Sequence, residues 1–316
     1  MTDTESGWYI IINPHAGSGK TMAQWSIAER RLAESDILYT AAFTGYKSHA
    51  KQLAYEAAAA GYRKIMAVGG DGSVHEIFTG AMGWCEKNGV SADEFYFGVI
   101  PIGSGNDWIK SFSIPHDTVK VVDIIKRGKF MKQDVVSVSS AVDNICYMAN
   151  IGGVGFDSHV CERVNAKKER GRRSERIYVN SLIYTVLHLK RIQVEIIGDG
   201  ESIFKGNCFS IAFGNGRYSG GGMLQTGLSE IDDGLIDVMI VPAVSLFKIL
   251  KEVRRIFNGT THESDAMIYR RCRHLKVVPL NAGSADIVEV DGEIEGRLPM
   301  EIKVTGMMAN VLTGEL

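Results

Sequence analysis

The chain has 316 residues, of which 45% are hydrophobic and 23% charged, with a formal net charge of −2. That is enough chain for a sizeable core and for two domains, and the near-neutral balance gives no global basis for binding nucleic acid. The opening MTDTESGWYIIIN has no basic start and no long apolar run, and no stretch approaches the ~20 apolar residues of a membrane span, so a cytoplasmic protein is expected.

Residues 1–130 alternate β and α signals. Trp8 to Ile12 reads as a strand, Thr21 to Ser35 as a helix, and Ile37 to Phe43 as an apolar run. Ser48 to Ala60 is alanine-rich and helical, Lys64 to Val68 is the next strand, Val74 to Asn88 a helix, and Phe95 to Ile100 a further strand. This order predicts an α/β domain with a mostly parallel sheet and functional loops at the carboxyl ends of its strands. From 131 to 305 the crossover helices stop. Lys132 to Ser139, Asn144 to Ile151, Gln193 to Ile197, Phe204 to Phe213 and Gly234 to Val241 read as strands of a mainly antiparallel second domain. Helical insertions are expected over Asp157 to Leu189 and Ser245 to Asn258. The last pieces, Met300 to Thr305 and Met307 to Leu312, suggest that 306–316 rejoins the first domain. The five cysteines, Cys85, Cys146, Cys161, Cys208 and Cys272, form no CxxC pair and suit reduced thiols.

Three strand-to-helix loops are rich in glycine: NPHAGSGKT (Asn13 to Thr21), GGDGS (Gly69 to Ser73) and GSGND (Gly103 to Asp107). The first nearly matches a P-loop, but Pro14 stands where that pattern requires glycine. A Gly-Ser-Gly turn before a helix also has a purely structural reading. Each loop offers backbone N–H groups and a helix N-terminus to an anion, and glycine lets phosphate oxygens approach without a Cβ in the way. Three such loops at one sheet edge suit a nucleotide polyphosphate. Asp71 would repel phosphate unless it holds Mg²⁺ or orients an attacking hydroxyl.

NPHAGSGK, GGDGSVHE, PIGSGND and a late Asp291-Gly292-Glu293 occur in this order. On these residues the chain resembles the diacylglycerol kinase catalytic family, bacterial lipid kinases related to sphingosine and ceramide kinases. The resemblance implies a two-domain lipid kinase with ATP at the first domain and a lipid, diacylglycerol or a related glycerolipid or sphingolipid, toward the second. It places ATP contacts on Asn13, Pro14, His15, Ala16, Gly17, Thr44, Gly69, Gly70, Asp71, Gly72, Ser73, Val74, His75, Gly103, Ser104 and Asn106. Ser73 and Ser104 replace the commoner threonine, and His75 stands where Asn is frequent, which would make that contact pH-dependent. The segment from Met82 to Phe97 is long for such a protein.

The resemblance also makes Glu293 the base that accepts the lipid hydroxyl proton, with Asp291 as the alternative; Asp-Gly in a hairpin turn is the structural reading of the same residues. A second divalent cation, apart from the Mg²⁺ on ATP, is implied at Asp233 and the carbonyls of Glu230 and Leu235. NAD kinase shares the GGDG loop but not the other motifs, and a nucleotide-binding membrane sensor without turnover would not need intact Asp71, Asn106, Asp107 and Glu293. A kinase without a span must collect lipid at an anionic membrane surface. The basic run Lys167, Lys168, Arg170, Arg172, Arg173 and Arg176, ahead of Ile177, Val179, Leu182, Ile183, Val186, Leu187 and Leu189, is the candidate face. A homodimer is left open.

Overall fold

A computed structural model describes residues 7–103, 105–141, 145–169, 181, 184–185, 188, 190–281 and 285–315. Its contacts divide the chain into unit 1, Met1–Val135 with Thr305–Leu316, and unit 2, Val136–Val304. The divisions fall inside two strands, β5 (Phe130–Ser140) and β15 (Met300–Leu312). A strand expected in two pieces is thus continuous, passing through Gly306 at φ +78°.

Unit 1 is built on a parallel sheet. Its strands β1 (Trp8–Ile12), β2 (Tyr39–Phe43), β3 (Lys64–Gly69) and β4 (Tyr96–Pro101) stand beside the end of β15 in the order β15-β4-β3-β1-β2. Ile10, Ile11, Ile12 and Ile65 to Val68 are all buried, the apolar run of strands in a parallel sheet with both faces covered. The covering helices are α1 (Thr21–Glu34), α2 (His49–Ala59), α3 (Asp71–Asn88) and α4 (Thr118–Arg127). In α2 the buried residues Ala50, Ala54, Ala57 and Ala58 recur at helical spacing and form one face. Helix α4, which the sequence reading omitted, is capped by Asp117 accepting from Lys120 N–H (3.0 Å) and ends at Gly128 in the left-handed region. The 82–97 segment contributes Met82, Cys85 and Phe95 to the core, and the Arg63 guanidinium lies 5.0 Å from the Trp84 ring and 4.9 Å from the Phe95 ring.

Unit 2 is antiparallel. Its strands are β6 (Ile145–Met148), β7 (Ile151–Gly155), β8 (Ile192–Gly198), β9 (Glu201–Gly214), β10 (Ile236–Pro242), β11 (Ile268–Cys272), β12 (His274–Pro279), β13 (Ile287–Val290) and β14 (Glu293–Arg297). The path β14-β13-β7-β9-β8-β12-β15 carries the sheet, and β10 pairs with both β9 and β11. Along β8, Ile192, Val194 and Ile196 are buried between half-buried neighbours, the alternation of a sheet with one covered face. Helix α5 (Phe156–Glu169) follows β7, and α6 (Leu246–Asn258) follows β10. Among the described residues no helix is long and apolar enough to cross a membrane. Burial pushes the thiols of Cys85, Cys208 and Cys272 up to about 12, so these three are unreactive packing residues. The fold is thus a mostly parallel α/β domain joined to a mainly antiparallel β domain, as the element pattern predicts.

Candidate functional site

The chain goes from β1 out to β2, then returns past β1 to β3, so the strand order reverses between β1 and β3. That reversal opens a crevice at the carboxyl ends of the two strands, where open α/β sheets bind ligands. The first two glycine loops leave from these ends. Asn13 N–H donates to Val68 C=O (3.0 Å), and Thr44 N–H to Ile12 C=O (2.9 Å), which places Thr44 beside the first loop. His15 N–H donates to Asn13 Oδ1 (3.0 Å), and Thr21 Oγ1 to Ala16 C=O (2.9 Å), closing that loop over the start of α1. Gly17 has φ +54°, and a Cβ there would lie 2.5 Å from Ile102 Cγ2, so a side chain would press on the third loop. A Cβ at Gly70 would lie 3.3 Å from Asn106 Oδ1. The structure therefore brings all three loops together at one edge of unit 1.

Asp71 stands at the centre of this edge. Its Oδ2 accepts from Asp107 N–H (2.9 Å) and its Oδ1 from Trp108 N–H (3.3 Å). Asp71, expected to hold Mg²⁺ or to orient an attacking hydroxyl, here clamps the third loop to the first turn of α3. Helix α3 begins at Asp71, three residues before the predicted start, so Gly72 and Ser73 belong to it. Ser73, Val74 and His75 are buried, His75 to 3% exposure. His75, read as a contact that would vary with pH, is thus a buried side chain, and within GGDGSVH the half-buried residues are Gly70, Asp71 and Gly72. Asn106, at φ +52°, donates from Nδ2 to Gly103 C=O (3.1 Å) and is buried to 2%. The Asp107 carboxylate pairs with Lys110 Nζ at 2.6 Å. The Ser104 assignment lies outside the described residues.

Glu76, the last residue of GGDGSVHE, was given no role by the sequence. Its carboxylate accepts from Ser48 N–H (3.3 Å) and Ala50 N–H (3.0 Å), capping α2 from another helix, while burial holds its pKa above the usual carboxylate range.

In unit 2 the second set of residues sits on a hairpin. Val290 pairs with Glu293, and the two residues between, Asp291 (φ +53°) and Gly292 (φ +86°), form a two-residue turn of left-handed geometry. The hairpin reading of these residues therefore holds for the backbone. The Asp291 side chain is fully committed: Oδ1 accepts from Asn150 N–H (2.8 Å) and Ile151 N–H (3.2 Å), and Oδ2 from Ala149 N–H (2.8 Å). These bonds also divide the strand expected over 144–151 into β6 and β7, because the amides between them turn to the carboxylate. Gly292 N–H donates to Glu289 Oε2 (3.0 Å), while Asn165 Nδ2 and Cys161 Sγ donate to Gly292 C=O (3.0 and 2.9 Å). Both ends of the turn are thereby held, and Glu293, half-buried, follows it as the first residue of β14. Glu289 escaped the sequence reading because it looks like an ordinary outward position of an alternating strand. It is in fact 8% exposed.

Nearby, Asp157 at the start of α5 is half-buried, accepts from Ser210 Oγ (2.5 Å) and Gln225 Nε2 (2.7 Å), and has its pKa raised by desolvation. The acidic loop before β10 does not offer the expected cation site. Asp233 Oδ1 accepts from Leu235 N–H (3.0 Å), and Oδ2 is taken by the Arg271 guanidinium. With a fixed positive charge already on Asp233, its one expected carboxylate ligand, this donor set does not fit a divalent cation. Of the basic run, the Lys167 Nζ donates to Ser181 Oγ (3.1 Å); the other side chains named for a membrane face lie outside the described residues.

Residues 7–138 match the diacylglycerol kinase catalytic domain, and residues 150–313 match the YegS C-terminal NAD kinase beta sandwich-like domain. A diacylglycerol kinase of Mycobacterium tuberculosis is 26% identical over 305 residues, covering 96% of this chain and 93% of that protein. A probable lipid kinase, YegS-like, of Pseudomonas putida is 26% identical over 244 residues, covering 77% and 75%. The crystal structure of a Bacillus anthracis diacylglycerol kinase superposes with a TM-score of 0.70 at 17% identity, over 98% of this chain and 97% of that one, a likeness of fold.

Proposed function

This chain belongs to the lipid kinase family that joins a diacylglycerol kinase catalytic domain to a YegS-type C-terminal domain, and from that premise we propose that it transfers the γ-phosphoryl group of ATP to a primary hydroxyl of diacylglycerol or a related glycerolipid or sphingolipid. The observation that carries the reading is the meeting of three glycine loops at the strand-order reversal of unit 1. There the backbone of Asn13, Pro14, His15, Ala16 and Gly17, of Gly69, Gly70 and Gly72, and of Gly103 surrounds the start of α3, a helix N-terminus whose dipole favours an anion. Thr44 borders the same crevice through its bond to Ile12. The donor is read as the magnesium complex of ATP, a substrate whose metal offsets phosphate charge. Asp71 acts on it indirectly, by holding the third loop in place.

On the acceptor side Glu293 takes the hydroxyl proton. The oxygen then forms its bond to the γ-phosphorus as the bond from that phosphorus to the β-phosphate oxygen breaks, and ADP leaves. Asp291 is unsuited to that task, since three N–H donors occupy its carboxylate. It is read as the residue that positions the turn before Glu293. The decisive assay is transfer from labelled ATP to diacylglycerol, monoacylglycerol, a sphingoid base, ceramide and phosphatidylglycerol in mixed micelles, with NAD as a soluble acceptor. Phosphorylation of a lipid is expected. Folded protein that labels none of them, or that labels NAD alone, would overturn the proposal.

A further inference from the structure

Arg271 stands directly opposite Asp237 in the antiparallel pairing of β11 with β10. Its Nε donates to Asp237 Oδ2 (3.3 Å) and its Nη2 to Asp233 Oδ2, so one guanidinium serves two carboxylates. Asp237 is fully buried and also accepts from the Tyr269 hydroxyl (2.7 Å). Tyr269 in turn accepts from Leu228 N–H (3.3 Å). A buried carboxylate of this kind needs both charge and hydrogen bonds around it, and the planar guanidinium supplies them from a fixed strand position. A divalent ion at Asp233 would have to sit against that guanidinium and repel it.

We infer that Arg271 is the built-in counter-cation of the acidic loop, filling by charge and geometry the place a divalent metal would take at Asp233. The inference rests on the pairing of Arg271 with both acids, and it goes beyond the proposed phosphoryl transfer without depending on it.

The loop so held leads toward the Asp291-Gly292 turn. Ser229 Oγ donates to Gly214 C=O (3.1 Å), Arg217 Nε to Ser229 C=O (2.6 Å), and Thr226 Oγ1 to Gly216 C=O (2.8 Å). Asn215 and Gly216 N–H groups donate to Asn150 C=O (2.9 and 3.0 Å), and Asn150 N–H is one of the three donors to Asp291. A bonded path thus runs from the loop that Arg271 holds to the turn that precedes Glu293.

The test uses the full chain free of nucleotide, titrated with Mn²⁺ (free ion read by electron paramagnetic resonance) and with Ca²⁺ by calorimetry. Wild type should behave as Asp233→Asn does, with no saturable site lost on that substitution. Arg271→Gln should gain a site with Kd of about 10⁻⁴–10⁻³ M, and the gain should vanish in the double variant with Asp233→Asn. Saturable binding in wild type that Asp233→Asn abolishes overturns the inference, and this comparison stands even if Arg271→Gln does not fold. A folded Arg271→Gln that gains no Asp233-dependent site overturns it equally. Because no nucleotide or lipid is present, the result is independent of whether the chain proves to be a kinase of the proposed specificity.

Discussion

Removing the Asp291 carboxylate should open the amides around Asn150, and the structure sets the size of the effect. Three backbone N–H groups donate to it, from Ala149, Asn150 and Ile151, and Asp291 is itself only 9% exposed. In Asp291→Asn the side chain can keep one acceptor oxygen, and Asn tolerates the observed φ of +53°. Its amide group, however, presents a donor to a donor at one of the three sites. A buried hydrogen bond to a charged group contributes roughly 1.5–3 kcal/mol, so the loss of charge and of one bond should cost about 2–4 kcal/mol. Hydrogen exchange reads this locally, since about 1.4 kcal/mol is tenfold in an opening equilibrium. Amide protection over 149–151 should therefore fall by roughly two orders of magnitude, with catalytic turnover falling only as far as the turn is displaced. Glu293→Gln should leave the same amides protected and reduce turnover ~10²–10⁴-fold, the range of a general base. Unchanged protection in Asp291→Asn would refute the clamp. Full turnover in Glu293→Gln would refute the division of roles between the two carboxyls.

Asp71→Asn, which cannot accept from both Asp107 and Trp108 N–H groups without presenting its own donor to one of them, should loosen the third loop. ATP affinity in equilibrium binding is expected to drop by about tenfold for a loss near 1.4 kcal/mol, and an unaltered affinity would remove Asp71 from the donor site. Glu301 gives a pH prediction: bonds first to Lys303 and then to His274 hold its pKa at about 2, below the usual 4.5. A depressed acid contributes stability that is present above 4.5 and lost as pH falls toward 2, because the unfolded chain binds the proton first. Glu301→Gln should flatten the dependence of the urea midpoint on pH across that window at low salt, and added salt should shrink the difference, since the half-buried group still reaches solvent. An identical pH profile in the variant would dismiss the cluster as a stabilising feature.

The alternation of strands and helices in the first 130 residues was legible in the sequence because it is local. Ile10 to Ile12 and Ile65 to Val68 are short apolar runs, each followed by turn glycines, and nothing distant is needed to recognise them. The sequence also marked the three loops and the late Asp-Gly-Glu by residue type and order. It could not say which polar atoms those residues would meet. Asp291 and Asn150 are 141 positions apart, Asp71 and Asp107 are 36 apart, and Arg271 and Asp233 are 38 apart. Strands β11 and β14 were missed for a related reason: IYRRC and EIEGR are too charged to read as strands, and pairing with β10 and β13 makes them so. A carboxylate has the same composition whether it faces a metal, a proton or three amides. Its role is decided by which backbone N–H groups and guanidinium the sheet register brings within 3 Å or so of it, and register belongs to the folded chain.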